Sequence, residues 1–275
     1  MNQNKIEFRK VRDFCALLNA TFEFIKQNFK ILFKSNLLIS SPFILLAGVF
    51  MGLYQSSLFN FNANPDFEQI GIPFLFSMLF MMLSYLVITI VTYSYLMLYK
   101  ETGPGSFDIE DIWRKSKGNL WMILFTGIGY SIIVGFGFVL LIVPGIYLSI
   151  ALSIIFIVRL EEGLGFFDAV SRCIKIISGN WWFTFGLILV VGFIQGFLGF
   201  ILYMPNYIVT FFLAFAGIES RTGSMGRVLY VISSIIASLG TLLYVISTLA
   251  IAFQYYNLVE RREAPGLIRQ IEDIK

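Results

Sequence analysis

Apolar residues run through this chain in long unbroken stretches, at about residues 35–57, 70–99, 119–143, 145–159, 181–204 and 228–256. The stretches are rich in Phe, Ile, Leu, Val and Gly and lack the period-2 polar alternation of a membrane β-barrel. A helix needs about 20 apolar residues to cross the hydrocarbon core of a bilayer. The pattern therefore predicts an all-α polytopic membrane fold with six transmembrane helices arranged in hairpins. Val143-Pro144-Gly145 is the predicted tight turn between the third and fourth spans, and the fourth is short enough to draw on its flanks. Pro205–Ile218 is apolar but only about 14 residues long. It is too short to span, so an interfacial or re-entrant segment is expected there.

Between the spans lie shorter amphipathic stretches, and these repeat. Gly118-Asn119-Leu120-Trp121 matches Gly179-Asn180-Trp181-Trp182 at an offset of 61 residues. At the same offset Gly135-Phe136 falls on Gly196-Phe197, Pro144 on Pro205, and Ser131-x-x-x-Gly135 on Gly192-x-x-x-Gly196. An amphipathic helix is expected before each copy. The first would be capped by Ser106, with Ile109, Ile112 and Trp113 on one face. The second would place Val170, Cys173 and Ile174 on one face and Asp168 and Arg172 on the other. A fainter third copy runs through Leu18 and Phe22 to Lys26-Gln27-Asn28-Phe29. The repeat unit is then an amphipathic cytoplasmic helix, a turn at Asn28, Gly118-Asn119 or Gly179-Asn180, and a membrane hairpin closed by Pro144-Gly145 or Pro205. Asn119 and Asn180 are expected to hydrogen-bond the backbone at these turns. The expected layout is a single helical membrane domain with an N-terminal amphipathic helix over 1–34, a first hairpin over 35–99, repeats over 106–159 and 166–259, and a cytoplasmic tail over 260–275.

Composition agrees with a lipid solvent. Of the 275 residues 57% are hydrophobic and 13% charged, with mean hydropathy +0.80, against about 25% charge in a soluble domain. The net charge of +3 is too small to suggest a nucleic-acid partner. Its distribution says more. Eighteen of the twenty Lys and Arg fall before span one, between spans two and three, between spans four and five, and after span six; Arg221 and Arg227 are the exceptions. Six spans put all four basic segments on one face, which predicts cytoplasmic N- and C-termini in the inner membrane of a bacterium. Trp113, Trp121, Trp181 and Trp182 all fall at predicted cytoplasmic interfaces, where indole rings settle as anchors. The first 35 residues mix charged and apolar positions and do not read as a cleavable signal peptide.

Small residues at i, i+4 allow close helix packing in lipid. Ser131 with Gly135, Gly192 with Gly196, and Ser234 with Ser238 are the expected seams, within one subunit or against a partner. Catalytic candidates are few. There is no histidine, and Cys15 and Cys173 stand alone, so no catalytic, metal or cofactor site is expected. The spans carry no charge at their middles, and Gln195 is the most polar residue deep in one of them. Glu161-Glu162 reads as a solvated charge cluster at a helix end. Tyr255-Tyr256-Asn257-Leu258 reads as the last helix continuing into water, ended by Pro265-Gly266.

Over about residues 110–265 the order of motifs is distinctive: Val143-Pro144-Gly145-Ile146-Tyr147-Leu148, Glu161 to Gly163, Asp168-Ala169-Val170-Ser171-Arg172, Ser178-Gly179-Asn180-Trp181-Trp182 and Tyr255-Tyr256-Asn257-Leu258. It resembles bacterial polytopic proteins of the YciC-like type, related to the membrane domain attached to some glycerophosphodiester phosphodiesterases. The resemblance implies a six-helix or similar membrane domain and carries over no catalytic residue. The expected function is that of a non-enzymatic integral membrane protein, a subunit of a membrane complex or a lipid-interacting scaffold. Its partners would be membrane lipids and a membrane-protein partner or a second copy. A transporter or channel for an apolar or amphipathic solute is the alternative.

Overall fold

The computed structural model describes residues 6–58, 67–215 and 224–264. The segment around residues 60–66, Arg221, the end of the 205–218 stretch and the residues from Pro265 lie outside them. Among the described residues there is no strand. The helices are α1 (Phe14–Leu58), α2 (Phe67–Thr102), α3 (Ile109–Leu140), α4 (Ile142–Ala151), α5 (Ile155–Glu162), α6 (Phe166–Ile177), α7 (Trp181–Phe215), α8 (Ser224–Ser238) and α9 (Tyr244–Glu263). A 3-10 segment, Leu239–Leu243, joins the last two. Among the described residues six helical stretches are long and apolar enough to cross a membrane: α1, α2, α3, α4 with α5, α7, and α8 through α9. The chain is a multi-pass α-helical membrane protein.

Several expected turns are helix instead. α1 runs unbroken for 45 residues through Asn28, so the N-terminal amphipathic segment and the first span are one helix. Asn28 donates to Phe24 O at 2.8 Å along its own helix and accepts from Tyr95 Oη at 2.8 Å. It ties α1 to α2 rather than turning the chain. α3 likewise passes through Gly118 and Asn119, and Asn119 Nδ2 bonds Lys115 O one turn back at 3.1 Å. A single Gly in a helix costs about 1 kcal/mol, and the helix-forming residues around Gly118 outweigh it. The copy at 178–180 does break. Gly179 has φ +84°, Ser178 and Asn180 are also weak helix formers, and Arg262 donates to the Ser178 carbonyl that the break frees. The hydrogen bonds at Asn180 run through its main chain: N–H to Ile177 O at 2.8 Å, and C=O to Thr184 N and Oγ1.

Pro205 does not end α7, which continues to Phe215. There is thus no separate interfacial segment at 205. Proline frees the carbonyl four residues back, which transmembrane helices tolerate when side chains re-satisfy it. α1 shows how: with Pro42 inside the helix, Ser41 Oγ donates to Leu38 O at 3.3 Å. In the third-to-fourth connection the chain turns at the extended Leu141, ahead of the expected Val143-Pro144-Gly145. Pro144 and Gly145 lie in the first turn of α4, where proline has no intrahelical N–H bond to lose. Asp108, not Ser106, caps α3: its carboxylate accepts from Glu110 N and Asp111 N, and Asp111 reaches back to Asp108 N.

The chain divides into two compact units. One comprises 1–35, 89–192 and 245–275, the other 36–88 and 193–244. In the first, Phe8, Phe24, Tyr95, Tyr99, Phe253 and Tyr256 pack as an aromatic cluster, mostly edge to face at 5–6 Å. The buried face of α6 is Ala169, Cys173, Ile176 and Ile177, displaced from the expected Val170 and Ile174. In the second unit the seam is one the sequence reading passed over, Gly48-x-x-x-Gly52 of α1 against α8. A Cβ at Gly48 would meet Ile235 Cα and Ser238 Oγ, each at 2.7 Å. Of the expected seams only Ser234 and Ser238 are buried. Ser131 is exposed, and a Cβ at Gly135, Gly192 or Gly196 would meet nothing within 4 Å.

Candidate functional site

Two polar constellations stand out, one in each unit. The first gathers on the C-terminal turns of α9. Residues 254–260 are all buried, Asn257 completely, so this segment is core and not a helix running into water. Tyr256 Oη donates to Glu161 Oε1 at 2.6 Å, and Lys100 Nζ bonds Glu161 Oε2 at 2.5 Å and Tyr256 Oη at 3.2 Å. Beside it Tyr255 Oη donates to Glu162 Oε1 at 2.9 Å. Arg172 bridges Glu162, through Nε at 2.8 Å, to Glu263, through both terminal nitrogens at 2.6 and 3.1 Å. Bonds to Glu263 and then to Glu162 hold the Arg172 guanidinium above its ordinary pKa. The pair read as a solvated cluster is thus a half-buried lattice in which each carboxylate has a tyrosine and a cation.

The lattice continues inward. Asn257 accepts from Arg12 N at 2.9 Å and from Arg261 Nε at 3.3 Å, and donates to Gln254 at 3.2 Å; Gln254 donates to Thr184 Oγ1 at 2.9 Å. Arg12 is 8% exposed and is solvated by the carbonyls of Glu7, Phe8 and Lys10. Its burial pulls its pKa down, while Glu7 acts in the opposite direction. Glu161, Glu162 and Glu263 are each paired with a cation, which suits a structural clamp on α9. Cys173 is packed on the buried face of α6, where burial pushes its thiol up to about 12; such a thiol is inert at neutral pH. Among the described residues no three His, Cys, Asp or Glu side chains converge as a metal site.

The second constellation lies between helices of the other unit. Asn206 of α7 is 6% exposed. Its Nδ2 lies 3.0 Å from Gln55 Oε1, 3.2 Å from Ser233 Oγ and 3.0 Å from Ser234 Oγ. Ser234 Oγ also donates to Gln55 Oε1 at 3.0 Å. Gln55, Asn206 and Ser234 border a chamber of about 100 Å³ whose other walls include Ala47, Met51, Met81, Tyr203 and Ala237. Nearby, Gln195 Nε2 donates to Leu243 O at 2.6 Å, at the end of the 3-10 segment that interrupts α8 and α9. A polar chamber was not legible in the sequence, because Gln55 and Asn206 stand at the ends of their apolar stretches and read there as boundary residues.

Of the predicted anchors Trp181 and Trp182 open α7, Trp113 lies near the start of α3, and Trp121 lies well inside α3. Trp182 is 77% and Trp121 66% exposed, Trp113 lies under Lys117 Nζ at 4.6 Å, and Trp181 stacks on Tyr147 and Phe185 at 6.0 and 5.4 Å. Trp181 Nε1 also donates to Tyr147 O at 3.3 Å, so this ring packs inside its own unit as well as facing outward. In comparisons with protein families, with curated proteins and with solved structures, nothing matches this chain.

Proposed function

We propose that this is a non-enzymatic protein of a bacterial inner membrane, with cytoplasmic N- and C-termini, that serves as a subunit of a membrane complex or a lipid-interacting scaffold. The observation that carries the proposal is a face without a partner among the described residues. Gly192, Gly196 and Gly199 lie on one side of α7 at i, i+4 and i+7, and a Cβ on any of them would stand in open space. Phe193, Phe197 and Phe200 flank them at 71, 71 and 56% exposure. Small residues bordered by large rings let another helix or an acyl chain approach closely. The ion-paired lattice around Glu161 and Glu162 supports a structural reading over a catalytic one. The basic segments at the helix ends support the orientation, and the resemblance to YciC-like proteins rests on its motifs.

A tagged purification from native membranes in mild detergent tests the proposal. The expected result is a stoichiometric membrane-protein partner, or firmly retained lipid, that is lost when Gly196→Leu blocks the α7 face. A bare monomer with unchanged composition in the variant would overturn it.

A further inference from the structure

The chamber in the second unit has a chemistry of its own. Among its described lining residues there is no Asp, Glu, Lys or Arg, so a phosphate, carboxylate or ammonium group placed there would be desolvated without a counter-charge from them. The polar groups present are two carboxamides and hydroxyls. Asn206 and Gln55 bond each other through one end of each amide. Among the described residues the opposite ends, Asn206 Oδ1 and Gln55 Nε2, have no hydrogen-bond partner within the protein. Exchanging the oxygen and nitrogen of both amides would preserve the pattern of one donor and one acceptor left over.

A single hydroxyl answers that pattern, since its oxygen accepts one bond and its proton donates another. The remaining walls are apolar and include two methionines, whose three rotatable bonds adapt to irregular shapes. The volume of about 100 Å³ is somewhat below the roughly 150 Å³ cavity that accommodates benzene. It suits a body of a few carbon atoms, or the hydroxyl end of a longer chain.

We propose that this chamber is a binding site for a small neutral alcohol dissolved in the membrane, its hydroxyl between the Asn206 and Gln55 amides and its hydrocarbon against Met51, Met81 and Ala237. The site is separate from the α7 glycine face and does not depend on it.

The test uses the full chain in lipid nanodiscs and a short-chain alcohol carrying an aliphatic diazirine, photolysed and mapped by peptide mass spectrometry. The expected result is saturable labelling at Met51, Met81 or Tyr203, displaced by hexanol but not by hexane or hexylamine. In Asn206→Leu the half-saturation should rise about two- to tenfold, the value of one or two hydrogen bonds. Ala237→Val, which adds two methyl groups to the wall, should abolish labelling, and it decides the matter if Asn206→Leu does not fold. Labelling that grows linearly with dose, displacement by hexane as efficient as by hexanol, undiminished labelling in a folded Ala237→Val variant, or label only at lipid-facing positions such as Phe197 would each overturn the proposal. That last outcome would leave water as the chamber's occupant.

Discussion

A Cβ placed on Gly52 of α1 would stand 2.4 Å from the Cα of Val231 on α8. Real Cβ atoms do not approach backbone so closely, and backbone cannot rotate away as a side chain can. Gly52→Ala should therefore force the two helices apart, at a cost of about 1–3 kcal/mol, read as a lower midpoint in SDS unfolding from mixed micelles. Gly196→Ala, where nothing lies within 4 Å, should leave that midpoint unchanged in the isolated chain. Equal losses in the two variants would show that the α1–α8 contact is misassigned.

The two glycines at matched repeat positions should respond in opposite directions. Gly118 is helical and Gly179 has φ +84°. Gly118→Ala is expected to be neutral or to stabilise by up to about 1 kcal/mol. Gly179→Ala should cost about 1–2 kcal/mol through left-handed backbone strain. Thermal unfolding of both variants by circular dichroism checks this, and a stabilising Gly179→Ala would be incompatible with the break between α6 and α7.

Tyr256 and Glu161 should be energetically coupled. Tyr256→Phe removes a hydroxyl bonded to both Glu161 and Lys100 and should cost about 1–2 kcal/mol. In a double-mutant cycle with Glu161→Gln the coupling should be about 0.5–3 kcal/mol. Additive losses would mean that the lattice does not act as a clamp.

The two cysteines give a chemical readout of unit structure. Cys15 is exposed and Cys173 buried, with the Cys173 thiol pushed up to about 12. Maleimide at neutral pH should modify Cys15 within minutes and spare Cys173 until the protein is denatured. The sign of the linkage follows. The fold holds the neutral thiol, so this group's contribution is complete at neutral pH and is lost as pH rises from the ordinary thiol value towards 12. Cys173→Ala should flatten that part of an alkaline stability profile; an unchanged profile would contradict it. Under the proposed orientation, an impermeant maleimide should reach Cys15 in inverted vesicles and not in intact cells.

Where the sequence reading failed, it failed for local reasons. Gly118-Asn119 and Gly179-Asn180 look alike in sequence. One is helix and the other a break, because the second adds Ser178 and receives a hydrogen bond from Arg262, 84 residues away. Gly-x-x-x-Gly spacing marks faces that are able to pack closely but does not say which have a neighbour in the same chain: Gly48 and Gly52 have one, and Gly192 and Gly196 meet none among the described residues. Tyr255-Tyr256-Asn257 looked like a wet helix end because each residue is polar; the hydrogen bonds that allow its burial come from residues 93 to 245 positions away.

What the sequence determined by itself is the solvent and the number of crossings. Long apolar stretches with little charge can be accommodated only in lipid, where the backbone must bond internally, and this selects six helical stretches at nearly the expected places. What only the tertiary structure decided is which polar side chains meet: Glu161 with Tyr256 and Lys100, Arg172 with Glu162 and Glu263, Asn206 with Gln55. Hydrophobicity is a sum over neighbouring residues and survives without knowledge of the fold. A hydrogen bond depends on two atoms within about 3 Å, and that proximity exists only once the helices have packed.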